Sequence, residues 1–305
     1  MDALPISTAL RPLGQSALRV FPLAYGCWRF AGAGVREACE KIEAAVELGI
    51  DLFDHADIYG GNGAAEELFG RALSEVPHLR DSMVIATKCG IVPGVPYDSS
   101  AAHIRRAAEA SLQRLRIEVI DLYQIHRPDL LGDPIEIAEA LARLRRDGKI
   151  REVGVSNFTV SQFETLQHFL PFPIATQQPE LSAWCLDPLR DGVLDQCLRV
   201  GVTPLAWSPL AGGRPSLSTD AARREPNGER LAGLIDCLDR LAARDGVSRS
   251  AIALAFLLVH PAGIVPIIGT QRVERIRECL DAFRVRLTRA DWYAIVTASQ
   301  GTPLP

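Results

Sequence analysis

The alternation of short apolar runs with stretches of helical spacing constrains this chain more than any other feature. Phe21 to Tyr25 ends at Gly26, and a stripe of Ala38, Ile42, Ala45 and Val46 follows, closed by Gly49 as a C-terminal stop. Residues 50–53 are the next apolar run and 64–73 the next helical one. Met83 to Thr87 then precedes a stripe through Ile104, Ala107, Ala108, Leu112 and Leu115. Ile120 to Ile125 leads to Asp133-Pro134-Ile135-Glu136: an N-cap, a proline at the first helical position and an acid three residues after the cap. Runs at 152–155, 174–177, 202–207 and 264–268 complete eight, with helices near 159–168, 190–199, 229–244 and 272–282, and a further turn set at 250–259. Eight strands, each followed by a helix, predict an α/β fold of the (β/α)8 TIM barrel type. Residues 8–10 and 17–20 flank Pro12-Leu13-Gly14-Gln15, which predicts an N-terminal β-hairpin capping the barrel bottom, and 288–298 predict a C-terminal surface helix. An open doubly wound sheet would want a glycine-rich turn after its first strand, where this chain has Gly26-Cys27-Trp28-Arg29-Phe30. With no linker in sight, residues 1–305 are expected to form a single domain.

Charge and cysteine usage narrow the function classes. A net charge of −4 argues against binding a phosphate backbone, so no nucleic acid partner is expected. The longest apolar run, Ala251 to Val259, is far short of the ~18 residues of a membrane span, and the N-terminus has no basic start, so neither membrane nor secretory signal is expected. The 7 cysteines are scattered without a CxxC pair, which fits reduced thiols in a cytoplasmic protein. Among the 33 basic residues only Lys41, Lys88 and Lys149 are lysines, so each is worth asking about.

In a barrel, catalytic groups come from the C-terminal ends of strands. Asp54 after strand 2, Tyr59 five residues on, Lys88 after strand 3 and His126 after strand 4 bring an acid, a phenol, an amine and an imidazole to one rim. Taken singly, each has an ordinary structural explanation; together they suit protonation of a carbonyl oxygen. An ammonium lowers the pKa of a phenol, a carboxylate holds the ammonium, and a neutral imidazole orients the substrate oxygen. Such a set needs a hydride donor. Ser156, Asn157 and Gln178, at the ends of strands 5 and 6, suit a carboxamide, and Trp207 after strand 7 suits a flat ring. The turn from Ser208 through Arg214 suits a pyrophosphate, as does Gly269-Thr270 ahead of the last helix.

The chain resembles the aldo-keto reductases, in their bacterial NADP(H)-dependent branch. The resemblance is borne by 49–60 (GIDLFDHADIYG), 85–90 (IATKCG), 121–129 (DLYQIHRPD), 148–158 (GKIREVGVSNF), 206–210 (AWSPL) and 269–278 (GTQRVERIRE). It implies a metal-independent enzyme that reduces aldehydes or ketones with NAD(P)H. Tyr59 would be the general acid, Lys88 and Asp54 would lower its pKa, and His126 would place the carbonyl. Ser156, Asn157 and Gln178 would hold the carboxamide, with Trp207 against the nicotinamide. Ser208, Leu210 and Gly212 would line the pyrophosphate, while Gly269, Thr270, Arg275 and Glu278 would hold the adenosine end. Gly26, Cys27 and Trp28 are assigned to the same groove.

Two positions depart from the family pattern: Gly269 stands where many members have a lysine for the 2′-phosphate, and Cys279 where many have asparagine. NADP(H) is expected nonetheless, held by Arg275 with Gln271 or Arg272, and NAD(H) stays open. A small-molecule carbonyl is the expected partner, bound by a monomer or weak oligomer. Trp28 and Phe30 would favour an apolar carbonyl, and 211–228 would form a long flexible lid. Two other readings compete. A metal-dependent hydrolase could draw on Asp54, His55, Asp57 and His126, but the remaining strand ends lack ligands. Some relatives are β subunits of potassium channels, which bind NADPH and act as redox sensors with little turnover.

Overall fold

The computed structural model describes residues 2–304. Eight parallel strands close into a barrel: β3 (Ala24–Gly26), β4 (Leu52–Asp54), β5 (Val84–Cys89), β6 (Ile120–Ile125), β7 (Ile150–Ser156), β8 (Thr176–Gln178), β9 (Thr203–Ala206) and β10 (Val265–Ile268), which pairs back onto β3. Two short antiparallel strands, β1 (Arg11–Pro12) and β2 (Arg19–Val20), precede them. The outer layer comprises α1 (Val35–Glu47), α2 (Ala64–Glu75), α3 (Ala101–Leu115), α4 (Pro134–Arg146), α5 (Val160–Phe169), α6 (Val193–Val200), α7 (Thr219–Ala222), α8 (Gly228–Asp245), α9 (Arg249–Leu258), α10 (Val273–Cys279) and α11 (Arg289–Gln300). The expected (β/α)8 barrel is therefore the observed fold.

The hairpin closes the barrel floor. Leu13, at its tip, is fully buried with Val20, Ala24, Leu52, Val84, Leu122, Leu205 and Val265, the apolar filling of the lower barrel. The backbone N–H of Gly14 donates to Thr203 Oγ1 at 2.8 Å, which ties the tip to the start of β9. The other end of the barrel is left for chemistry.

Several local expectations are corrected. The first barrel strand begins at Ala24 rather than Phe21, because Pro22 has no N–H for the ladder. The hairpin strands lie at 11–12 and 19–20: the first is closer to the tip than the expected 8–10, and the second keeps only the end of 17–20 away from it. Asp133 caps α4 through the Ile135 N–H, but Glu136 does not close a capping box; its carboxylate accepts from Ala101 N at the start of the neighbouring α3. The 250–259 turn set is a full helix, α9 (Arg249–Leu258), apolar on every side from Ala251 onward and packed against α8. The C-terminal helix α11 covers it, with Trp292 stacked on Phe256 at 5.0 Å. The 211–228 segment is not a structureless lid: it contains a 3-10 turn at 211–216 and α7. Arg249 pins it, donating to the carbonyls of Pro215 and Leu217 while paired with Asp239.

Candidate active site

Strand register delivers the four expected groups to one end of the barrel. Asp54 is the last residue of β4 and His126 the first after β6, while Lys88 lies inside β5 rather than after it. The turn after β4 brings Tyr59 back, with its N–H bonded to Ala56 O. Lys88 Nζ donates to Asp54 Oδ2 at 2.7 Å, to His55 O at 2.7 Å and to Tyr59 Oη at 3.1 Å. Each ammonium hydrogen thus has an acceptor, which is what lets a fully buried charge persist. An ammonium can only donate, so Tyr59 Oη is the acceptor and its own hydrogen points elsewhere. The imidazole of His126 meets the Tyr59 ring edge-on, with centroids 5.8 Å apart. Burial, Lys88 and Arg127 push His126 down to about 2, so it is neutral at physiological pH.

The phenol differs from the sequence expectation. Burial raises the Tyr59 pKa, Lys88 lowers it, and burial prevails, so the net shift is upward. Lys88 is also raised: burial lowers it, but Asp54 and Tyr59 together overcome that. The resting state is therefore a protonated phenol beside a protonated amine.

Asp54 is held from two further sides. Its Oδ1 accepts from Gln178 Nε2 at 3.0 Å and from Gln124 Nε2 at 3.5 Å, and Gln124 Oε1 accepts from Thr176 Oγ1 at 3.1 Å. Sequence reasoning missed Gln124, although a glutamine inside an otherwise apolar strand was a visible signal. Gln178, assigned to the cofactor alone, is also a partner of Asp54.

The neighbouring strand ends form a linked polar chain. Ser156 Oγ donates to Gln178 O at 2.9 Å, Asn157 Nδ2 to Ser156 Oγ at 2.7 Å, and Trp207 Nε1 to Asn157 Oδ1 at 2.9 Å. The Arg127 guanidinium lies 5.5 Å from the Trp207 ring centroid. Past β9 the backbone turns left-handed at Ser208 (φ 50°), Ala211 (48°), Gly212 (68°) and Gly213 (93°). Positive φ at non-glycine residues such as Ser208 and Ala211 costs energy that the surrounding structure must offset. Leu210 is half-buried between these bends. After β10, Gly269 is exposed, Thr270 O accepts from Tyr25 Oη at 3.0 Å, and Arg275 and Glu278 stand exposed on α10.

Three expected rim positions divide. Gly26 and Cys27 are buried, so of the three only Trp28, 60% exposed with Arg29 over its ring, reaches solvent. Phe30 is fully buried against Tyr25 and Phe69, which removes it from the pocket rim. Among the described residues, no three His, Cys, Asp or Glu side chains form a group that could hold a metal ion. No helix there is long and apolar enough to cross a membrane.

Asp57, whose backbone N–H donates to Lys88 O, is pushed up to about 7, by burial first and by the neighbouring Glu66 second. Its folded pKa thus lies above its ordinary value of 3.8, so the stability it contributes is full below about 4 and is lost as pH rises through 7. Asp57→Asn is expected to raise the melting temperature at pH 8 by about 2–4 °C and to change it little at pH 4. Melts at the two pH values check this; an equal effect at both would rule out the charge as the cause.

This constellation agrees with what the chain is similar to. The model of the "Aldo/keto reductase family" matches residues 22–300. A "6-dehydroglucose reductase" of Novosphingobium aromaticivorans is 46% identical over 312 residues, covering 100% of both chains. A second protein of that name, from Agrobacterium fabrum, is 39% identical and covers 93% of this chain and 96% of its own. The crystal structure of a thermostable aldo-keto reductase in complex with the inhibitor epalrestat superposes with a TM-score of 0.81 at 29% identity, over 95% of this chain and 99% of that one. The chain is an oxidoreductase of the aldo/keto reductase family.

Proposed function

We propose that the protein reduces an aldehyde or ketone to the alcohol with NADPH, and that Tyr59 donates the proton. The observation that supports this best is the direction of one hydrogen bond. Lys88 donates to Tyr59 Oη, so the phenolic hydrogen is free for a substrate oxygen. His126, neutral and edge-on to the same ring, hydrogen-bonds that oxygen and holds it in line. A phenol whose pKa is raised keeps its proton until needed, and the ammonium stabilises the phenolate left behind, an interaction stronger in the transition state than before it. Asp54 keeps Lys88 charged and aimed.

The residues around the barrel mouth fit a nicotinamide dinucleotide. Gln178, Asn157 and Ser156 present amide and hydroxyl groups for the carboxamide, and Trp207 offers an indole face beside them. The left-handed bends from Ser208 to Gly213 are the backbone we assign to the pyrophosphate. Arg275 and Gln271 take the 2′-phosphate. The bound cofactor supplies the hydride.

Among carbonyl compounds, 6-dehydroglucose is the substrate we propose, because two relatives that align over nearly their whole length have that name. Exposed Trp28 gives the rim a flat apolar face on which a sugar ring can stack.

The test is NADPH oxidation with 6-dehydroglucose and with 4-nitrobenzaldehyde, followed by the same assay with NADH. Turnover of both carbonyls, with kcat/KM for NADPH at least about tenfold above NADH, is expected. Tight NADPH binding without turnover of any carbonyl would instead favour a redox sensor. Equal values for the two cofactors would sink the 2′-phosphate assignment.

A further inference from the structure

The layer of the barrel that carries Lys88 is polar, in a place that barrels ordinarily fill with branched apolar side chains. Lys88, Gln124, Gly154 and Thr176 are successive partners across β5, β6, β7 and β8. Gln124 and Thr176 are both fully buried. A buried carboxamide is costly unless it is hydrogen-bonded, and this one has a partner at each end: Thr176 Oγ1 donates to its oxygen at 3.1 Å, and its nitrogen faces Asp54 Oδ1 at 3.5 Å. Asp54, whose carboxylate can only accept, fixes which end of the amide is the donor, and the Thr176 hydroxyl then donates to the other.

Gly154 makes room for the pair. A Cβ there would lie 2.1 Å from Thr176 Oγ1 and 2.9 Å from Gln124 Cγ, so any side chain on the central strand would push the two apart. Three strands thus cooperate to aim one amide at one carboxylate oxygen. From the other side, Gln178 Nε2 reaches the same oxygen at 3.0 Å. Asp54 is left with Oδ2 for Lys88.

We propose that Gln124, held by Thr176 in the space Gly154 leaves, is a positioning residue for the proton donor. With Gln178 it clamps Asp54, so that the Lys88 ammonium stays against the Tyr59 hydroxyl. This rests on Tyr59 being the donor. Gln178 opens toward the carboxamide residues through Ser156, so its two roles are entangled. Gln124 has no exposed surface from which to reach a substrate or cofactor, so what it does to the reaction passes through Asp54.

The experiment compares Gln124→Met, Thr176→Val, Thr176→Ser and Tyr59→Phe in the full-length protein. It measures kcat against pH and, separately, NADPH affinity by fluorescence. With the clamp loosened, Asp54 swings and draws the ammonium from the phenol, which then ionises at higher pH. Gln124→Met is expected to lower kcat about tenfold or more, leave the NADPH dissociation constant within about twofold, and move the alkaline limb of the profile up by about half a unit. Thr176→Val shifts both in the same direction by less, and Thr176→Ser restores them. A loss of kcat with an unmoved limb, or no loss at all, overturns the proposal. Should Gln124→Met fail to fold, the two Thr176 variants decide by the same criteria. Turnover by Tyr59→Phe would mean that the donor assignment has failed; a dead Tyr59→Phe beside an unperturbed Gln124→Met would mean that only the clamp has.

Discussion

Tyr59→Phe is expected to lower carbonyl reduction by about 10²- to 10⁴-fold while NADPH affinity stays within about twofold. The substitution removes one oxygen and keeps the ring. The edge-on packing against His126 and the position of the ammonium 4.9 Å from the ring centroid both survive. What disappears is the hydrogen that Tyr59 alone can give, together with the acceptor for one of the three Lys88 donors. His126 cannot take over, because a histidine pushed down to about 2 has no second proton to deliver at neutral pH. Steady-state NADPH oxidation and fluorescence titration read the two quantities separately. A variant retaining more than about a tenth of wild-type kcat would remove Tyr59 from the donor role.

Gly70→Val is expected to destabilise the fold by about 3 kcal/mol, seen as a loss of about 6–10 °C in melting temperature. Gly70 lies within α2, where the end of α3 crosses it. A Cβ there would stand 2.1 Å from Arg114 O and 2.7 Å from the Leu115 carbonyl carbon, and backbone cannot move aside as a flexible side chain could. Forcing the helices apart also strains a buried ion pair: Arg114 Nε reaches Glu66 Oε2 at 2.7 Å, and Glu66 in turn accepts from Thr87 on β5. Breaking such a pair strands a buried carboxylate, which adds to the steric cost. Thermal melts followed by circular dichroism check the value. A melting temperature within about 2 °C of wild type would show that α2 and α3 separate freely.

The barrel was legible because one pattern repeats. Short, mostly apolar runs such as 120–125, buried on both faces as parallel strands are, and helical stripes such as that of α1 leave little choice once eight of each alternate. Boundaries were less so, since they depend on tertiary pairing: β3 loses its first residues to Pro22, and Lys88 is drawn into β5 by its pairing with Gln124. The reacting groups were legible as types at strand ends. Their burial was not, and burial reverses the expected direction of the Tyr59 shift. Phe30 could not be placed either, since a turn aromatic faces core or pocket with the same sequence around it. Arg249, which holds the 215–217 backbone, lies over thirty positions away in sequence, and no local pattern links the two.

The floor of the barrel bears on how the chain comes together as it is made. The groups that anchor the Leu13 hairpin come far later in the chain: Thr203 lies 189 positions beyond Gly14, and Ile264, whose carbonyl accepts from Arg11, lies 253 beyond that arginine. Closing such long loops is slow, and a nascent chain emerges from its N-terminus. The hairpin at 11–20 therefore has nothing to dock on until Thr203 and Ile264 have been made, and the plug that completes the base is among the last pieces to seat.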